Sequence, residues 1–424
     1  MTTLARRLGF LALIVYGIGD ILGAGIYALV GKVIAQAGLA AWASFLLAAV
    51  TALITGFSYA ELSGRYPVSA GAAAYVKRAF PGPWFATVTG ILVLSTGLSS
   101  AATVTTAFSG YLQNLVVFPE ILAQILLLSF VSFLGFWGIQ ESSRVNFFLT
   151  FVEVAGLVAV IVVGISLSSS ASWSHFLTRM PSDFHILPVL SGITIAFYAY
   201  IGFEDLVNLA EECKNPARDL PRAILIAIGV TTLVYLSVSL VLLLNVPREE
   251  MEGSKTPLLL VFDKAGITWI HHWFSLIAIM AIVNTGLINL IMASRLMYGM
   301  AEEGLMPKVL KKVHRSRRTP WVGVLTAFAA VLILVFTGAL KVLAQTTSFL
   351  ILLVFSLVHL SLIRVKNKEK DYTGLRFPLF FPCLGLALCL GLMTQFPREV
   401  YGRSLIVLAL GLVLGVLSMR RLKI

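Results

Sequence analysis

Five acidic residues, Asp20, Glu61, Glu153, Glu204 and Asp205, fall inside otherwise apolar stretches of this chain. A carboxylate in hydrocarbon is costly, so each is a candidate for moving an ion, holding a charged ligand or pairing with a cation. Two of these stretches are also interrupted by glycine. The first reads Gly19-Asp20-Ile21-Leu22-Gly23-Ala24-Gly25-Ile26, the second Phe197-Tyr198-Ala199-Tyr200-Ile201-Gly202-Phe203-Glu204-Asp205. An unwound turn frees main-chain N–H and C=O groups, which membrane depth tolerates only where protein or a watery cavity satisfies them. Close helix packing is the other use of such glycines. A Gly-x-Gly cluster beside Asp20 exceeds what packing requires.

Each acid has two readings. Glu153 stands in Thr150-Phe151-Val152-Glu153-Val154-Ala155-Gly156-Leu157, with no basic neighbour within a helical turn. Desolvation favours a neutral carboxyl, and one that titrates near physiological pH can carry a proton. It could also be a neutral acid hydrogen-bonded to a neighbouring helix. Glu204 and Asp205 close the second break, where an acid can cap free N–H groups or take part in gating or ion coupling. Asp20 could attract a substrate ammonium or sit in a water-filled vestibule. Glu61 lies four residues before Arg65, the spacing of a helical ion pair at a membrane interface.

The elements that position these residues follow from composition. The chain has 424 residues, of which 58% are hydrophobic and 12% charged; its mean hydropathy is +0.92. A soluble domain is roughly a quarter charged. Apolar runs of helical length recur, rather than the alternation over about 10 residues of a membrane barrel. The fold class is therefore an all-α polytopic membrane protein of about twelve transmembrane helices. The spans are expected at 10–34, 40–64, 84–114, 118–138, 143–168, 186–212, 220–245, 268–300, 320–338, 340–364, 376–396 and 401–419. The longest polar interruptions, near 168–185, 246–267 and 302–318, read as short loops. Arg6 and Arg7 precede an apolar run as in a signal peptide, but that run reads as a retained first helix. The broken spans are the first and the sixth. Discontinuous helices at matching places in two halves point to a substrate site in a secondary transporter.

The net charge of +12 does not indicate nucleic acid. Most Lys and Arg, including Lys308, Lys311, Lys312, Arg315, Arg317 and Arg318, fall in loops on one face, the positive-inside pattern. Both termini are then cytoplasmic, the protein is multi-pass in the cytoplasmic (inner) membrane, and the basic loops can touch anionic lipid. Cys213, Cys383 and Cys389 have no metal-ligand spacing. No cofactor, metal or obligatory protein partner is expected beyond the bilayer and a small-molecule substrate. There is no phosphate-binding Gly-x-x-x-x-Gly-Lys motif, no His-Glu-x-x-His and no Gly-x-Ser-x-Gly. His175, His185, His271, His272 and His314 lie at span ends or in loops, and only His359 lies well within a span. An enzyme is disfavoured. A channel is disfavoured too, since no repeated ring of pore charges is visible.

The motifs resemble those of the amino acid–polyamine–organocation transporters, especially prokaryotic amino-acid permeases, over nearly the whole chain. They are Ile21-Leu22-Gly23-Ala24-Gly25-Ile26-Tyr27, Tyr59-Ala60-Glu61-Leu62 with Arg65-Tyr66-Pro67 and Gly71, and Phe203-Glu204 continuing through Ala210-Glu211-Glu212-Cys213-Lys214-Asn215-Pro216. The fourth is Ala293-Ser294-Arg295-Leu296-Met297-Tyr298-Gly299-Met300-Ala301-Glu302-Glu303-Gly304-Leu305-Met306-Pro307. The resemblance implies one transporter domain with an inverted repeat, 10–168 against 186–364, and 376–419 appended. It implies a substrate carboxylate on the N–H groups of Ala24, Gly25 and Ile26, and an ammonium at carbonyls near Ile21, Phe197, Tyr198 and Ile201. Ala199 lies within that second break. Tyr198 or Tyr200 would form an aromatic lid, while Ser100, Ala101 and Asn289 would face the substrate side chain.

One departure concerns coupling. Many proton-coupled relatives carry a lysine in the fifth span, and counting from Arg144 places Glu153 there. A carboxyl could carry a proton or ligate sodium. Alternating-access uptake of neutral amino acids with a proton is the favoured expectation. Exchange, sodium coupling, and cationic amino acids or polyamines as substrates are the alternatives. Asp20, Glu153 and Glu204 are the coupling and gating candidates.

Overall fold

The computed structural model describes residues 8–420 except 69–70, 82, 114, 138–141, 303–305, 316, 318 and 338. Arg6, Arg7, residues 303–305 and Arg318, named above, lie outside the described residues, as do the side chains of Arg144, Glu211, Glu212 and Glu302. Among the described residues the only extended pairing is one parallel bridge, Leu8 with Cys213. Everything else that is regular is helical. In chain order the helices are α1 (Phe10–Ala37), α2 (Ala41–Arg65), α3 (Gly71–Ala79), α4 (Pro83–Gln113), α5 (Glu120–Trp137) and α6 (Ser142–Leu167). Next come α7 (Ser170–Asp183), α8 (Ile186–Ala196), α9 (Pro216–Asn245), α10 (Arg248–Gly253), α11 (Leu259–Lys264) and α12 (Ile270–Glu302). The chain ends with α13 (Trp321–Thr337), α14 (Leu340–Lys368), α15 (Phe380–Met393) and α16 (Arg398–Arg420).

A helix satisfies its own main chain, which is why apolar runs in lipid adopt it. Many of the hydroxyls scattered through these runs are satisfied locally as well. Thr51, Thr55, Thr96, Thr103, Thr105 and Thr347 each donate to the carbonyl four residues back, so they add no orphan donor to the apolar interior.

Every expected span falls on a helix, with three differences. Among the described residues, eight helical stretches are long and apolar enough to cross a membrane, nine if a bent pair counts as one span, and the first, Phe10–Arg65, holds both α1 and α2. α13 is shorter, at 17 residues, and α15 and α16 meet at a bend of 112°. First, the sixth span is a helix only as far as Ala196; beyond it run two 3₁₀ segments, Phe197–Tyr200 and Phe203–Glu212. Second, the segments 168–185 and 246–267 are not plain loops but carry α7, α10 and α11. Third, the eleventh span starts later than expected, at Phe380. Its expected first turn is committed elsewhere: the Phe377 N–H donates to Glu61 (3.0 Å) and the Phe377 carbonyl accepts from Lys366 (2.6 Å).

That commitment belongs to a charge cluster joining α2, α14 and the turn before α15. The expected Glu61–Arg65 pair forms at 2.7 Å, but Lys366 of α14 also reaches Glu61, at 2.7 Å. Tyr372 lies under the Arg65 guanidinium, 4.4 Å from ring to charge. Higher on the same helices, His359 is held between Thr55 (3.2 Å) and Ser58 (2.9 Å). The site is framed on the other side, where α1 packs on α6, α8, α9 and α12.

Candidate functional site

Both glycine-marked breaks are present, and they face one another. In α1 the helix is interrupted at Gly23, whose backbone (φ −33°, ψ −149°) is non-helical. In the sixth span, the break is at Gly202, with φ 128°, a conformation that side-chain-bearing residues rarely adopt. A Cβ at residue 202 would come within 2.9 Å of the Asp20 carbonyl, and one at residue 25 within 2.7 Å of the Ala199 Cα. Glycine at 25 and 202 is thus what lets the two unwound backbones touch.

Between them lies a small cavity of about 30 Å³, lined by Asp20, Ile21, Gly23, Ala24, Gly25, Ser100, Tyr198, Ile201, Gly202, Asp205, Thr285 and Asn289. That is room for about one water, so an amino acid requires the walls to part. The lining holds two carboxylates and no Lys, Arg or His. Asp20 is nearly buried, and its Oδ2 has no hydrogen-bond partner. Asp20 lies close enough to feel the charges of Asp205, Glu204 and Glu153. In a low-dielectric wall such a concentration of acid attracts a cation.

The remaining expected residues divide clearly. Ser100, Tyr198 and Asn289 form a chain across the cavity: Asn289 Nδ2 donates to Ser100 Oγ (3.0 Å), which pairs with Tyr198 OH (3.1 Å). Ala101 is buried on α4 but off the cavity wall, as are Ile26, Phe197, Ala199 and Tyr200. Phe197 packs edge-on to Phe355 at 6.1 Å, and Tyr200 on Tyr235 at 5.1 Å. Of the two candidate lids, Tyr198 is the one at the cavity. Glu204 takes the capping place: its Oε2 accepts the Gly202 N–H at 2.9 Å. Asp205 accepts from Asn208 (3.1 Å) and lines the cavity.

Thr285 and Tyr235 do not figure in the expectations from sequence. The Ala24 N–H, expected to be open to a carboxylate, donates to Thr285 Oγ1 at 3.2 Å. Tyr235 OH lies 2.5 Å from the Ile21 carbonyl and 2.8 Å from that of Ala199, so one hydroxyl spans both breaks. Thr285 was findable: Asn284-Thr285 is a polar pair in the apolar run of α12. Tyr235 stands in a run of aliphatic residues, threonines and serines that gives no local signal, and only the tertiary contact identifies it.

Glu153 sits one layer away, fully buried on α6. Neither carboxyl oxygen makes a hydrogen bond of good geometry, and nor does the amide nitrogen of Asn284, although Asn284 lies close enough to interact with the carboxyl. Its main-chain carbonyl is held by Tyr27 OH at 2.7 Å, and the Tyr27 carbonyl in turn by Tyr111 OH at 2.7 Å. The main chain at Glu153 is therefore tied to α1, while its carboxyl has only the Asn284 amide of α12 to interact with. Among the described residues no group of His, Cys, Asp and Glu could hold a metal ion in the usual way.

Residues 12–396 match the family model described as amino acid permease. The chain is 29% identical to a branched-chain amino acid permease of Bacillus subtilis, covering 99% of this chain and 94% of that protein. It is equally similar, at 29%, to a methylthioribose transporter of the same organism, over 99% and 94%. A mitochondrial cationic amino acid transporter of Arabidopsis thaliana is 32% identical over 86% of this chain, which spans 63% of that relative. With paired helix breaks and a family match over most of its length, the chain belongs to the amino acid permease family, within the amino acid–polyamine–organocation superfamily its motifs resemble.

Proposed function

We propose that this transporter carries amino acids across the cytoplasmic membrane by alternating access, with a proton as the coupling ion. The observation that carries the reading is the meeting of two helix breaks at one acidic, largely enclosed cavity. The N–H groups that open the half-helix after the α1 break, from Ala24 (once released from Thr285) through Gly25 to Ile26, suit an α-carboxylate if the walls part. Asp20, with the carbonyls of Ile21, Tyr198 and Ile201, suits an α-ammonium. Thr285, Ser100 and Asn289 are placed to meet the rest of the substrate. Glu153, buried with no cation beside it, is the proposed proton carrier. Rocking of α1 and the sixth span against α4 and α12 would open the cavity to either side.

Neutral amino acids are the first reading of the substrate, in line with the permease relative whose name specifies branched chains. One observation favours cationic amino acids as a second. Asp20 and Asp205 both line the cavity, and a single ammonium needs only one of them. The test is uptake into proteoliposomes of labelled leucine, alanine, lysine and arginine. Gradients of pH, sodium and internal substrate are imposed one at a time. Concentrative leucine uptake driven by an inward proton gradient supports the first reading. Uptake of lysine alone transfers the site to the second, and dependence on sodium or on internal substrate refutes proton coupling.

A further inference from the structure

A much larger cavity, of about 680 Å³, lies at the end of the bundle where α1 and α9 finish and α8 begins, roofed by α7 and α10. Its volume is that of a small-molecule site, roughly 300–1,000 Å³, and its chemistry is opposite to that of the central cavity. Arg179 and His175 of α7, His185 before α8 and Arg248 of α10 line it, with Glu249 the one carboxylate among the described residues of the wall. Arg248 is fixed in place: its Nε and Nη2 both bond the Ala35 carbonyl, at 3.1 and 2.5 Å. Its Nη1 is directed toward Gly38, another residue of the cavity wall.

The helix α7 says what the ligand is attached to. Ser172, His175, Phe176 and Arg179 follow helical spacing and face the cavity. Trp173 and Leu177 are on another face and are exposed, at 40% and 59%. Phe184, Ile186 and Leu187 continue that apolar exposure to the start of α8. A helix with one polar face bearing Arg and His and a second, Trp-bearing apolar face lies in the plane of a membrane interface. We infer that this cavity binds the phosphate headgroup of an anionic phospholipid, whose acyl chains run along Trp173, Leu177 and Phe184. A soluble phosphate would use the same cations but has no use for the apolar margin. The site is separate from the transport cavity and does not depend on how that cavity works.

Native mass spectrometry of the purified full-length protein tests this. The probes are dioleoyl phosphatidylglycerol, dioleoyl phosphatidylcholine and inorganic phosphate. Phosphatidylglycerol should be retained at least tenfold more strongly than phosphatidylcholine. Arg179→Gln should weaken it roughly fivefold and the triple change with His175→Gln and His185→Gln further, while Arg179→Lys restores much of the binding. The pair Lys311→Gln and Lys312→Gln, on the opposite face, should change it little. Equal retention of the two lipids overturns the proposal, as does an equal loss in the Lys311/Lys312 variant. Inorganic phosphate binding as tightly as the lipid overturns the lipid assignment. Arg179 is exposed, so its single variant keeps the test valid even if the triple variant fails to fold.

Discussion

Glu61 on α2 and Glu153 on α6 are both fully buried, in helices of similar apolar composition. Glu61 accepts from Arg65, from Lys366 and from the Phe377 main chain. Glu153 has no cation beside it and no hydrogen bond of good geometry; the Asn284 amide is the one polar side chain that interacts with its carboxyl. The first arrangement compensates a buried charge and ties three segments of chain together. The second holds a carboxyl in place and leaves its chemistry open. Burial of an acid in a membrane helix therefore does not distinguish structure from function; the count of its donors does.

Four substitutions break or sharpen this contrast. The largest effect on transport is expected from Gly25→Leu, because the new side chain meets the Ala199 backbone rather than a movable group. Labelled uptake should fall to background, while membrane insertion, followed by surface labelling, persists; retained substrate affinity would refute the proposed carboxylate nest. Glu61→Ala removes the carboxylate from Lys366 and leaves Arg65 only its longer contact to Glu369, at 4.0 Å, and should cost about 3 kcal/mol of stability. A thermal melt in detergent reads it, and an unchanged midpoint would show that the cluster is dispensable. Glu153→Gln should leave that melt within about 1 kcal/mol of the parent yet remove the response of uptake to an imposed pH gradient. If concentrative uptake still follows the proton gradient, Glu153 is not the proton site. The smallest effect belongs to Tyr235→Phe, which strips a buried hydroxyl from two carbonyls at about 1–3 kcal/mol. It should show as a weaker substrate KM with the protein still folded.

The sequence conveys the spans because twenty apolar residues have few other destinations, and it conveys both breaks because Gly23, Gly25 and Gly202 punctuate those runs. It conveys much less about which faces meet. Lipid and protein interior are equally apolar, so membrane helices lack the polar stripe that marks a soluble helix's outer side. Ile26, Phe197 and Ala199 illustrate this: they were placed by position within a break, and they pack beside the cavity rather than lining it. Thr285 bonds to Ala24 across 261 residues of sequence, and Lys366 reaches Glu61 across 305. No local pattern encodes such a meeting. The short eleventh helix has the same origin, since its missing turn is consumed by the distant Glu61.

Tyr235 carries one phenolic proton but lies within reach of two acceptors, the oxygens of Ile21 and Ala199. At any instant one of these oxygens is served less well than the other. An arriving ammonium would therefore compete for an acceptor whose existing bond is already divided, and its entry would push the proton toward the opposite strand. On the proposed reading the phenol would act as a balance arm between the two breaks, so that occupancy beside one broken helix would be felt at the other without either having to unfold.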